Sequence, residues 1–209
     1  MRLIWILLPL VLSAAATGAR AADNPQRGGE LYVSCATCHG TQGEGNRGLN
    51  APRLTHLAPV YIVEQLQKFK AGVRGGSQAS DSARQMAAMA TTLADDQAMF
   101  DIASYISSLK GGVSAVTVEA DPAVGAGYYR QFCAACHGPG AEGNPALNSP
   151  RLAGADDWYL VAQLDAFRSG ARGSHAQDRT GKQMRAMAGV LPDDAAVAAV
   201  VAYIRSLPQ

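Results

Sequence analysis

Cys35-Ala36-Thr37-Cys38-His39 recurs 98 positions later as Cys133-Ala134-Ala135-Cys136-His137, and these two pentapeptides hold all four cysteines of the 209-residue chain. A Cys-x-x-Cys pair followed at once by histidine is the attachment pattern of c-type haem. The two thiols add across the vinyl groups of one porphyrin, and the adjacent imidazole stands where it can ligate the iron. Cys35, Cys38, Cys133 and Cys136 are therefore the expected attachment residues of two covalent haems, with His39 and His137 as iron ligands. A lone Cys-x-x-Cys also suits a disulfide, a thioredoxin-type redox pair or half of a zinc site. A thioredoxin pair does not need the following histidine, however, and zinc half-sites usually lie much closer together than these two pairs.

The repetition extends outward from the cysteines. At the same offset Gly40, Glu44, Gly45, Asn46, Leu49 and Asn50 match Gly138, Glu142, Gly143, Asn144, Leu147 and Asn148. Pro52-Arg53-Leu54 answers Pro150-Arg151-Leu152, and Tyr61, Gln65, Leu66, Phe69, Gly72 and Arg74 answer Tyr159, Gln163, Leu164, Phe167, Gly170 and Arg172. One domain has been duplicated in tandem. Ahead of the cysteines the offset falls to 97, since Pro25, Gly28 and Tyr32 match Pro122, Gly125 and Tyr129; the first copy is one residue shorter just before Cys35. Gly111-Gly112 and the patternless stretch after them mark the joint. The expected layout is a leader over 1–21, a first domain over 22–112, a linker over 113–120 and a second domain over 121–209.

Each copy reads as all-α, three helices joined by glycine-rich loops. Asn24-Pro25 and Asp121-Pro122 place a capping side chain before a proline at the first helical position, so a helix should run from there into each cysteine motif. A second helix is predicted over Tyr61 to Lys70, with its counterpart over Trp158 to Arg168. In the third, Met99, Ile102, Ala103, Ile106 and Leu109 follow the spacing of one helix face, as do Val197, Val200, Val201, Ile204 and Leu207. Asp95-Asp96 and Asp193-Asp194 stand at the positive ends of these helices. No period-two run is long enough for a sheet.

Arg2, the apolar run Leu3 to Leu12 and the small-x-small triplet Ala19-Arg20-Ala21 read as a cleavable secretory signal, its apolar core short for a membrane span. Loss of Arg2 and Arg20 turns the formal charge from +1 to about −1, which gives no electrostatic case for nucleic acid. Aromatic residues make up only 6% of the chain, thin for two independent cores, and two haems would supply the missing flat apolar bulk.

The two haem motifs, each followed by Pro-Arg-Leu and by Tyr-x-x-x-Gln-Leu, resemble class I cytochrome c domains, and as a tandem pair they are similar to the dihaem cytochrome c4 family. The resemblance covers nearly the whole chain after the leader. It implies two domains, each wrapped around one haem and facing the other across a pseudo-twofold interface, and a periplasmic location, because bacterial haem attachment is completed outside the cytoplasm. It also implies that the carbonyls of Pro52 and Pro150 accept a hydrogen bond from the ligand histidines, orienting them. The sixth iron ligand has two candidates per copy, Met86 or Met89 and Met184 or Met187, which the repeat alone does not separate. In class I cytochromes the ligand methionine precedes the Leu-x-Asp at the start of the last helix by seven residues; counted back from Leu93 and Leu191, this selects Met86 and Met184. His56 and His175 match Gly154 and Ser77, so neither belongs to the duplicated site, and a loop or surface role is expected. Arg74 and Arg172 suit either haem propionates or a solvated surface.

Histidine with methionine fills both axial positions, which points to an electron carrier rather than an enzyme, without a small-molecule substrate. The expected partners are a membrane-bound respiratory oxidase and a quinol-oxidising complex, and peripheral membrane association is compatible with that role. The alternatives are the haem subunit of a dehydrogenase or flavoprotein complex and, behind it, a dihaem peroxidase. The chain carries no flavin or nucleotide fingerprint of its own.

Overall fold

The computed structural model describes residues 22–113 and 115–208; the leader expected over 1–21 lies outside the described residues. Helix α1 spans Pro25–His39, with Pro25 in its first turn and the Asn24 side chain accepting from the Arg27 amide at 3.1 Å. Its apolar face meets α4 (Asp96–Ser108), while α2 (Pro59–Lys70) and α3 (Asp81–Thr91) close the first domain around Ile62, Leu66, Phe69, Met99 and Ile102. The second domain repeats the plan with α5 (Pro122–Tyr128), α6 (Ala134–His137), α7 (Asp157–Ser169), α8 (Arg179–Ala188) and α9 (Asp194–Ser206). No strand occurs among the described residues, and the all-α reading stands.

The extra residue of the second copy is absorbed inside its first helix. Where α1 is continuous, the matching segment widens into a π turn over Tyr129–Cys133 between α5 and α6. A π turn takes up one inserted residue without breaking the helix, so His39 and His137 still arrive at equivalent places.

Each copy has four principal helices rather than the expected three, because the inward stripes of α3 (Ala83, Met86, Ala87, Ala90) and α8 (Gly181, Met184, Ala188) are made mostly of small residues that give a weak apolar signal. Only Ala90 is buried on α3, and only Gly181 and Ala188 on α8. Both helices rest on small residues and on caps from Ser80 to the Ala83 amide and from Asp178 to the Gly181 amide. The predicted second helices are present, starting slightly earlier, and the Asp95 and Asp193 caps accept from Ala98 and Ala196, each at 2.8 Å.

The first and last helices of each domain touch backbone to backbone at a glycine. A Cβ on Gly28 would come within 2.0 Å of the Asp101 carbonyl oxygen, and one on Gly125 within 1.9 Å of that of Ala199. Gly28→Ala should therefore destabilise the first domain despite the better helix propensity of alanine, by about 2–3 kcal/mol. Chemical denaturation of the variant checks this; a neutral Gly28→Ala would show that the helix crossing yields easily.

Past α4 the described residues as far as Asp121 form no helix, yet the joint is pinned to α7. Asp157 accepts from the Thr117 amide at 2.6 Å, the Thr117 hydroxyl at 2.6 Å and the Val118 amide at 3.0 Å. Burial pushes the Asp157 carboxyl up, but these bonds outweigh it and hold the group below its usual value, so it stays ionised at neutral pH.

Candidate haem centres

Cys35 and Cys38 stand one turn apart at the end of α1, both half-buried, and His39 closes the helix in the domain interior. Cys133 is half-buried at the end of the π turn, Cys136 is exposed on α6, and His137 is buried. None of the four cysteines is paired in a disulfide in this structure. Burial raises the Cys35 thiol, and burial with the neighbouring Cys136 pushes Cys133 up to about 11. Among the described residues no three His, Cys, Asp or Glu side chains gather as a metal site.

The loop after each motif aims the histidine. Gly40 and Gly138 turn the chain at φ 80°, helped by Tyr32 and Tyr129, whose hydroxyls donate to the Gly40 and Gly138 carbonyls at 2.9 and 2.7 Å. A short 3₁₀ turn, Arg47–Leu49 or Pro145–Leu147, then folds the strand-like residues back, bridging Asn46 to Ala51 and Asn144 to Ser149. Gly45 sits at the closest approach, where a Cβ would lie 2.6 Å from the Arg53 amide nitrogen. The turn delivers the Pro52 carbonyl to 2.8 Å from His39 Nδ1 and the Pro150 carbonyl to 2.9 Å from His137 Nδ1. With a carbonyl as partner, Nδ1 must carry the proton, and Nε2 keeps the lone pair that a metal needs. Burial lowers both imidazoles below their ordinary value despite these bonds, keeping them neutral and able to ligate. Two thiols beside a neutral, oriented imidazole fit covalent haem.

Met86 and Met89 both lie on α3, and Met184 and Met187 on α8. Met86 packs against the cluster that also takes in Cys35 and Ala36. Met89 and Met187 are each 38% exposed.

The residues that sequence reasoning left aside build the seam between the domains. Arg74 donates to Gln65 Oε1 in its own domain (2.8 Å) and to the Tyr159 hydroxyl (2.8 Å) and Gln163 Oε1 (2.9 Å) across the seam. Arg172 mirrors it, donating to Gln163 (2.7 Å), the Tyr61 hydroxyl (3.1 Å) and Gln65 (3.0 Å). Each guanidinium also stacks on a phenylalanine, Arg74 on Phe69 at 4.4 Å and Arg172 on Phe167 at 4.5 Å. The solvated-surface reading of these arginines is thus corrected. Their signal was present in the repeat, since Tyr61, Gln65 and Arg74 all recur at the same offset.

One-sided contacts break this symmetry. Lys68 bonds Asp178 at 2.9 Å and Thr180 at 2.6 Å across the seam, and the Arg53 amide donates to Asp156 at 2.7 Å. His56 packs beside Gly154 with its Nδ1 buried, and burial together with Arg53 and Arg151 drives it down to about 3, so it is a neutral seam residue rather than a surface one. Arg74→Leu removes three charge-assisted hydrogen bonds and should weaken domain docking by about 2–3 kcal/mol. Arg74→Lys should recover only part of the loss, because an ammonium does not reproduce the fork. Hydrogen exchange of the α2 and α7 amides and thermal unfolding measure both; a wild-type-like Arg74→Leu would show the seam to be held elsewhere.

Comparison with known proteins agrees with this arrangement. The cytochrome c family profile matches twice, over residues 25–110 and 123–208. The chain is 34% identical to cytochrome c4 of Azotobacter vinelandii, with 96% of this chain and 98% of that protein aligned. It belongs to the cytochrome c4 family. This cytochrome c is also 33% identical to a thiosulfate dehydrogenase electron acceptor of Stutzerimonas stutzeri strain A1501, over 98% of this chain and 95% of that one. Among solved structures, reduced recombinant cytochrome c4 from Pseudomonas stutzeri superposes with a TM-score of 0.68 at 29% identity, covering 90% of this chain and all of that one. The protein is a dihaem electron carrier with two covalent haems c, one per cytochrome domain.

Proposed function

We propose that this cytochrome c4 is a periplasmic shuttle that carries single electrons from a quinol-oxidising complex to a membrane-bound respiratory oxidase, and that it is not itself an enzyme. The observation that carries the reading is the pair of matched histidines, each held neutral with Nδ1 on a proline carbonyl, in two domains that each also offer a methionine-bearing helix. Cys35, Cys38, Cys133 and Cys136 hold the haems, His39 and Met86 ligate one iron, and His137 and Met184 the other. The half-buried place of Met86 on the cluster around Cys35 supports it over the more exposed Met89. Iron held by an imidazole and a thioether supplies a one-electron couple of raised potential. The chain's own contribution is to fix the imidazoles, exclude water from them and keep the two domains in one geometry, so that little rearranges when charge changes. Residues 22–112 and 121–209 form the two domains, joined by 113–120, and residues 1–21 direct export. Among the described residues no helix is long and apolar enough to cross a membrane.

Reduced protein added to oxidase-containing membranes of the source organism should be oxidised with many turnovers, saturably and with cyanide sensitivity. A second reading, an electron acceptor working beside a dehydrogenase, is favoured by the thiosulfate dehydrogenase acceptor among its relatives. No turnover on the membranes, together with stable co-purification with a dehydrogenase, would replace the first reading by the second.

A further inference from the structure

The two methionine-bearing helices are matched in place but not in charge. On α3 the matching positions carry Asp81, Arg84 and Ala87; Arg84 is spent on Asp81, and Ala87 packs against the core cluster. The same positions of α8 carry Arg179, Lys182 and Arg185, all exposed, and none forms an ion pair among the described residues. The neighbouring charges do not cancel them. Asp178 is buried on Lys68, while Asp165 and Asp194 are both taken by Arg168. His175, exposed ahead of the helix, adds a further basic group where the first domain has Ser77. Arg179, Lys182 and Arg185 recur every three residues and so form one stripe along the helix; toward its end Met187 at 38% and Val190 at 39% are also exposed, with Val190 one turn beyond Met187.

An exposed stripe of one charge is a feature of transient docking surfaces: it steers the encounter, and a small contact at the helix releases readily. Met89 provides the first domain with the same exposed methionine, again at 38%, but without the cationic stripe, and Thr92 stands where the second domain has Val190. The exposed methionine is therefore common to both domains and the charge is particular to the second.

We propose that the outer face of α8, through the stripe of Arg179, Lys182 and Arg185, docks a redox partner protein that presents an acidic surface, and that electrons pass to or from that partner through the second domain. This rests on the carrier reading for its purpose but not for its test. The partner's chemistry is fixed by complementarity: three uncompensated cations select carboxylates, and a cationic partner would be repelled.

The probe is a carboxylate-terminated alkanethiol monolayer on gold, with a hydroxyl-terminated monolayer as the uncharged control, and the readout is the electroactive coverage of holoprotein by voltammetry. Wild type should adsorb on the carboxylate surface at low salt and desorb as salt rises. A triple variant, Arg179→Gln, Lys182→Gln and Arg185→Gln, should lose about tenfold in coverage. Arg47→Gln, Lys110→Gln and Arg130→Gln remove the same net charge from exposed positions away from α8 and should keep coverage within about twofold. Absorbance at two haems per chain verifies that each variant is intact. Equal loss in both triple variants would reduce the effect to net charge and overturn the proposal, as would unchanged coverage in the α8 variant. The membrane-turnover assay is separate: its failure removes the shuttle reading and leaves the surface result standing.

Discussion

Chains in which both Cys35 and Cys38 are replaced by serine will carry one covalent haem instead of two, and the first domain will lose its cooperative fold while the second keeps its own. The mass of acid-extracted protein should exceed the mature polypeptide by one haem, and Cys133→Ser with Cys136→Ser should give the mirror result. The expectation follows from how little each domain has to bury. The first relies on Tyr32, Ile62, Val63, Leu66, Phe69, Met99, Ile102 and Ile106, with Cys35 and Ala36 packed at the edge of that cluster. A unit of roughly ninety residues buries a modest fraction of its surface, so losing a large apolar group from beside this cluster exceeds its margin of stability. Exchange protection of the α2 and α4 amides should fall to that of a partly unfolded chain, while α7 and α9 remain protected in their cores. A double variant that still held two haems would undo the attachment assignment for that site.

Duplication made much of this molecule legible, because each position came with a second reading of itself. The two haem motifs, the helix starts at Asn24-Pro25 and Asp121-Pro122, and the Asp95 and Asp193 caps were all visible as matched pairs. What the repeat could not convey is contact between its copies. Tyr61, Gln65 and Arg74 recur faithfully, but their partners are the opposite copies of one another, and only tertiary pairing reveals that. Nor could it reveal features present once: Lys68, Asp178 and His56 stand opposite Ala166, Ser80 and Gly154, and these unmatched residues are the ones that make the seam asymmetric. The single added residue before Cys133 was countable, whereas its absorption as a π turn depends on the helix being held at both ends by packing. One departure from the repeat explains itself once seen. Gly43 takes φ 67° where a Cβ would lie 2.9 Å from Thr55 Cγ2, and its counterpart Ala141 takes φ 57° opposite Ala153, which has no such group.

The methionine assignment gives the other large effect. Met86→Ala should leave one iron open to added cyanide or imidazole, abolish the thioether–iron charge-transfer band of that haem and lower its potential, with Met184→Ala doing the same in the second domain. Met89→Ala and Met187→Ala should keep both bands and bind no added ligand rapidly. The two methionines of each pair lie one turn apart, on nearly the same face of α3 or α8, so position on the helix alone separates them weakly. Packing separates them better in the first domain. Met86 joins the cluster that reaches Cys35, whereas Met89 is 38% exposed, and truncating an exposed side chain of this kind costs within about 0.5 kcal/mol. Met86→Ala, by contrast, removes contacts from a half-buried site and should lower stability by about 2 kcal/mol in addition to its spectral effect. Loss of the band in Met89→Ala, with Met86→Ala unaffected, would transfer the ligand role to the exposed residue and require α3 to turn inward when the haem is attached.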